Sequence, residues 1–196
     1  CGLLELPHAH YDLARFHDRS GVLSPSIVDA DGRLILGNEL INRVTRGEYD
    51  ETRTYLQKEH TVSRVLAALA MFTRPHFRAT WHQFIGYLML DAWIGNTDRH
   101  HENWGLIISR DRAITLAPTF DHASSLGREL NDENRVRRMT SNDHRFTVES
   151  FAAKARSALY NDLSDAKPLS PIDAFKLAAR VQRESGFDWL DRLAAI

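Results

Sequence analysis

Between Pro75 and Gly95 the chain is apolar around almost a full helical circumference, and no other stretch restricts its fold as much. Trp81, Phe84, Ile85, Leu88, Met89 and Ala92 share a helical stripe, and Tyr87, Leu90 and Trp93 widen it nearly all the way round. A helix of that kind has to be enclosed on most sides. It runs directly into Gly95-Asn96-Thr97-Asp98, so a rigid core element delivers this loop. A site carried in that way is held more precisely than one on a free loop.

The loop continues as Arg99-His100-His101-Glu102-Asn103. Trp104 to Ile108, Ser109 to Arg112 and Ala113 to Leu116 then read as strand, polar turn and strand, a hairpin that leads to Phe120-Asp121-His122. An antiparallel fold-back at Arg112 predicts that Asn103 and Asp121 return side by side. An oxygen ligand on each arm, with Asp98 just upstream, suits a Mg²⁺-nucleotide site: Mg²⁺ takes one or two hard oxygen ligands from protein and completes its octahedron with phosphates and water. A further carboxylate near a transferred group can accept the proton of an attacking hydroxyl.

The rest of the chain is consistent with one medium domain or two small lobes sharing a cleft, at 196 residues and 43% hydrophobic content. A net charge of −1 with mixed signs argues against dominant nucleic-acid binding. The cluster Arg135-Val136-Arg137-Arg138 reads as a solvated helix face or a small phosphate-binding patch. One cysteine, Cys1, allows no internal disulfide, and a reducing cytoplasm is the expected home. The longest apolar run, Val65 to Phe72, is too short to span a bilayer, so no membrane partner is expected.

Strands are predicted at Tyr11–Phe16, Gly21–Val28 and Arg33–Leu36, with Asp31-Gly32 as a tight turn. Gly37-Asn38-Glu39-Leu40 then leaves the sheet, either as an adenine-binding hinge or as an ordinary strand-to-helix loop. Asn42 to His60 is polar and irregular. Val62–Phe72 is predicted helical with Thr61 as a cap. Helices are also expected over Thr147–Tyr160, over Pro171–Ser185 ending at Gly186, and over Phe187–Ala195.

Asp98 and Asn103 have the Asp-x4-Asn spacing of a protein-kinase catalytic loop, and Asp121 follows a hairpin as a kinase metal-binding Asp does. Gly95-Asn96-Thr97-Asp98-Arg99-His100 with Asn103 resembles the HipA-like serine/threonine kinases, over roughly Leu3 to Ala123. The resemblance implies an α+β, kinase-like fold: a partial antiparallel N-lobe over 1–40, with Gly37, Asn38, Glu39 and Leu40 at the hinge, and a mostly helical C-lobe over 41–196. It implies ATP and Mg²⁺ as cofactors, Asp98 as base, Asn103 and Asp121 on Mg²⁺, and His100 near the γ-phosphate. It further implies a protein substrate, an activation segment over Glu129–Thr140 that Arg99 could reach, and, for some family members, an antitoxin partner. A kinase places a Gly-rich loop and a strand Lys ahead of the helix whose end resembles Cys1–Pro7. Neither stands in this chain, so the expected object lacks the front of the N-lobe.

Two other classes compete. A pseudokinase-like interaction module, or one part of a split kinase with the N-lobe on a partner chain, follows from the absent front. A metal-dependent phosphohydrolase would gather Asp98, His101, Asp121 and His122 around a transition metal. Trp93 and Trp104 are expected in the core, and Thr97 as a brace of the loop.

Overall fold

A computed structural model describes residues 1–128 and 130–196. Its α+β architecture is organised by α3 (Phe77–Ile94), whose residues Phe84 to Asp91 are all buried. The enclosure that its apolar circumference demands comes from α2 (Val62–Phe72), α6 (Pro171–Val181) and α7 (Arg183–Ala194). α2 has the predicted bounds, and the Thr61 side chain accepts the Arg64 N–H as its cap. Gly86 lets α7 come close to α3: a Cβ there would lie 2.5 Å from the Trp189 ring.

Two antiparallel sheets form. β1 (Asp12–Phe16) and β2 (Arg19–Leu23) make a ribbon with apolar Leu13, Phe16, Val22 and Leu23 exposed. β3 (Arg33–Leu36) joins a different sheet. It pairs with β4 (Gly105–Ile108), which pairs with β5 (Ile114–Leu116). The strand predicted to close the N-terminal sheet therefore backs the hairpin that leads to Asp121.

α1 (Gly37–Val44) begins where a loop or hinge was expected at Gly37–Leu40. The Gly37 and Asn38 N–H groups donate to the carbonyls of Trp104 and His101, at 3.0 and 3.1 Å, and Leu40 is buried in the core. The Glu39 N–H is taken by the Asn38 side chain. The N–H groups of Gly37, Asn38 and Glu39 are therefore committed inside the chain, where an adenine-binding hinge would present free N–H groups. The irregular stretch beyond α1 is anchored inward by buried Tyr49, Gln57 and His60.

Toward the C-terminus, α4 spans Asp132–Thr140; Glu129, the predicted start of the activation segment, lies outside the described residues. α5 is Val148–Lys154, shorter than the predicted helix to Tyr160, with Thr147 capping it at the Ser150 N–H. The expected helix stop at Gly186 is not used. α6 breaks at Gln182, and Gly186 lies inside α7, where a Cβ would come within 2.7 Å of Ala179. No helix is long and apolar enough among the described residues to cross a membrane.

Candidate active site

Gly95, in the left-handed region at φ 64°, ends α3 and turns the chain into the 95–103 loop. The loop is held from beneath by Asp91, the one charged residue in the buried half of α3. Its carboxylate accepts from Arg99 Nε at 2.8 Å, Arg99 Nη2 at 2.7 Å and Asn96 Nδ2 at 2.8 Å. Arg99 Nη1 then donates to the Asn103 carbonyl at 2.7 Å. Arg99 is 1% exposed and spends its donors on Asp91 and the Asn103 carbonyl rather than on the activation segment that it was expected to reach. Burial alone would depress its pKa; the Asp91 carboxylate outweighs burial and raises it.

Above this pair the loop presents Asp98, His100 and Asn103 together. Asn103 Nδ2 donates to the Asp98 carbonyl at 2.6 Å, so its Oδ1 is the atom turned to other use. The Asp98 carboxylate faces His100 Nε2 at 3.9 Å and accepts from the Ser124 hydroxyl at 3.4 Å. The Glu102 N–H donates to His100 Nδ1, so neutral His100 carries its proton on Nε2, toward Asp98. Thr97 braces the loop as expected, donating from its backbone N–H and its hydroxyl to the Ser124 carbonyl.

The far side of the loop is packed rather than chemical. His101 Nδ1 lies 2.7 Å from the Tyr49 hydroxyl, and Trp104 Nε1 donates to His60 Nε2 at 3.1 Å. His60 Nδ1 lies 3.0 Å from the Ala158 carbonyl, which fixes the neutral tautomer. Burial pushes the His60 pKa down to about 3. The unfolded chain binds that proton near the ordinary value of 6.5. Stability from His60 is therefore fully present above about pH 6.5 and lost as pH falls toward 3. His122, pushed by burial to about 4, adds a slope of the same sign. His60→Gln should flatten the fall in melting temperature between pH 6.5 and 4, leaving the His122 share, in thermal scans across that range.

β4 and β5 pair Leu106 with Leu116 and Ile108 with Ile114, a register centred on Asp111 rather than Arg112. The Gly105 carbonyl accepts the Ala117 N–H, where the ladder ends; extended by two residues, that register would face Asn103 with Thr119. Asp121 lies two residues further on, past the side-by-side position predicted from sequence. It sits at φ 53° with its N–H on the Tyr11 hydroxyl, while Thr119 is pinned to Pro7 and Ala9 by backbone bonds of 2.9 Å. The segment then crosses back so that Ser124 reaches Asp98. Asp121 and Asn103 Oδ1 are both acceptors, so only a cation or a donor could join them directly.

The loop thus brings Asp98, His100 and Asn103 into one group, and Asp121 lies three residues before Ser124, which bonds Asp98. Asn103 Oδ1, the Asp98 carboxylate and the Asp121 carboxylate are hard oxygen donors that fit Mg²⁺ and do not suit a soft metal. His101 bonds Tyr49 through Nδ1 and His122 bonds Thr119 through Nε2; His101 Nε2 is buried without a partner, but among the described residues no group of three or more His, Cys, Asp or Glu side chains is placed to hold a metal ion. The phosphohydrolase cluster is not assembled. The residues that sequence reading missed are the supports, Asp91, His60 and Tyr49. A lone carboxylate inside an otherwise apolar helix was the available signal for Asp91. Trp104 is buried as expected, whereas Trp93 is 45% exposed.

The fold is similar to that of the Helicobacter pylori proinflammatory kinase CtkA, with a TM-score of 0.71 at 20% sequence identity. The likeness covers 99% of this chain and 63% of CtkA, so the chain spans under two thirds of that kinase. No curated protein matches the chain. The family model described as the HipA-like C-terminal domain matches residues 35–183, and the chain belongs to that family.

Proposed function

We propose that this chain carries the catalytic half of a protein kinase that transfers the γ-phosphoryl group of ATP to a Ser or Thr hydroxyl in the presence of Mg²⁺. One observation carries the reading: the 2.6 Å bond from Asn103 Nδ2 to the Asp98 carbonyl, which fixes a candidate base and a candidate metal ligand as one unit. Mg²⁺-ATP, when bound, supplies the electrophilic phosphorus and offsets the charge on the phosphates. Asp98 accepts the proton of the incoming hydroxyl, and Ser124 steadies its second oxygen. Asn103 Oδ1 and the Asp121 carboxylate would hold the cation. His100, whose Nε2 lies 3.9 Å from Asp98, would offer its Nε2–H as a hydrogen-bond donor to the γ-phosphate.

A non-catalytic reading is favoured by the exposed apolar residues of the β1–β2 ribbon, Leu13 and Val22 on one face and Phe16 and Leu23 on the other, against which a further lobe or chain could pack. Titration calorimetry of the chain with ATP separates the two. Mg²⁺-dependent binding is expected, weakened by about tenfold or more in Asp121→Asn. Asn tolerates the left-handed φ of position 121 as well as Asp does, so the backbone is preserved. Binding indifferent to Mg²⁺, or unchanged in Asp121→Asn, would overturn the metal-ligand assignment. No binding at all would favour the non-catalytic reading.

A further inference from the structure

An open apolar groove of ≈ 500 Å³ lies directly beside the Asp98 loop. One wall is the last turn of α3, with Trp93 and Ile94. The others come from Leu126, from Met139 on α4, and from Val148 and Phe151 at α5. Leu126, Met139 and Val148 are 82, 85 and 80% exposed. Single exposed apolar side chains need no explanation, but several lining one concavity mark a binding surface.

The groove is tied to the site. The Leu126 N–H donates to the Ile94 carbonyl at 2.8 Å, and two residues earlier Ser124 bonds both Thr97 and Asp98. Whatever occupies the groove is delivered next to the candidate base.

Arg138, also in the lining, gives the groove a charge preference. Its guanidinium lies over the rings of Phe146 and Phe151, at 5.4 and 5.2 Å from their centroids. Its Nη1 is buried and has no hydrogen-bond acceptor among the described residues. Two neighbouring cations are matched, Arg135 by Asp132 and Arg145 by Asp143, while Arg137 lies over the Phe146 ring, 4.7 Å from its centroid. A buried N–H without an acceptor is costly, and a carboxylate fits the planar guanidinium fork.

We propose that this groove seats a segment of the protein substrate: an extended stretch with apolar side chains flanking the acceptor Ser or Thr, and one Asp or Glu that pairs with Arg138. The proposal rests on the kinase reading and adds a substrate class to it. The apolar positions fill the space between Trp93, Leu126, Met139 and Phe151, and the carboxylate selects among apolar segments.

Fluorescence anisotropy on the chain tests it with labelled peptides of equal length around a central Ser. One is apolar with a Glu, one carries Lys in place of that Glu, and one keeps the Glu but has polar flanks. The Glu peptide with apolar flanks is expected to bind about tenfold more tightly than the Lys peptide, and Arg138→Gln to erase that difference. Leu126→Asp should weaken the apolar Glu peptide by about tenfold or more. Leu126 is exposed and Arg138 half-buried, and far-ultraviolet circular dichroism verifies that the variants fold. Equal binding of the Glu and Lys peptides, or a preference that survives Arg138→Gln, overturns the proposal. Self-association that Met139→Asp dissolves and peptides do not compete would give the groove to a second copy of the chain, and would also overturn it. Selective peptide binding without Mg²⁺-ATP binding would overturn the kinase reading while supporting the groove; nucleotide binding without peptide selectivity would overturn the groove alone.

Discussion

Asp98→Asn is expected to lower phosphoryl transfer by about 10²- to 10⁴-fold, the usual share of a positioned general base. The substitution is close to isosteric. The Asp98 carbonyl that binds Asn103 is backbone and survives, and the new side chain can still accept from Ser124. What disappears is the proton acceptor. Mg²⁺-ATP affinity should therefore stay within about threefold of the parent while the chemical step collapses, the pattern of an interaction used only in the transition state. Single-turnover transfer from labelled ATP to dephosphorylated casein, beside calorimetry on the same preparation, separates the two quantities. A variant that transfers at the parental rate would remove Asp98 from the chemistry.

The other large effect concerns stability. Asp91→Ala should destabilise the fold by about 3–5 kcal/mol, the range for breaking a buried ion pair by removing one partner. The magnitude follows from what is left behind: a guanidinium with 1% exposure and no counter-charge, and an Asn96 amide without its acceptor. The double variant Asp91→Leu with Arg99→Met removes both charges and should recover most of that loss, because an apolar pair of similar volume avoids the desolvation cost. It should not recover catalysis, since the 2.7 Å bond from Arg99 to the Asn103 carbonyl goes with it. Urea unfolding of the two variants, with the transfer assay on the double, tests both halves. A loss below about 1 kcal/mol in the single variant would mean that the pair is not the support described here.

Much of the fold was legible because local signals agreed with the packing. Thr61 and the periodic apolar residues after it fix α2, and the full apolar circumference of α3 required the helices that surround it. The hairpin was legible from strand, turn and strand. Its register was not, because a shift of one residue at the turn is set by backbone geometry around Arg112, at φ 64°. The partner of β3 was illegible for another reason: its ladder joins residues some seventy positions apart, and no local pattern encodes that choice. Gly186 reads as a helix stop but serves close packing between α6 and α7. Within the site, the group around Asp98 was readable from spacing, whereas the fate of Arg99 was not. An arginine in a polar loop reads as exposed until its buried acceptor is located on the preceding helix.

The contact between Gly37 and the loop restricts motion as well as sequence. A Cβ at position 37 would lie 2.3 Å from the Trp104 ring and 2.6 Å from the His101 carbonyl, so only glycine fits without displacing one of them. The two backbone bonds from Gly37 and Asn38 close the same seam. The start of α1 and the 101–104 stretch are therefore joined without room between them, so a shift of α1 relative to that stretch would have to break these bonds or move the Trp104 ring.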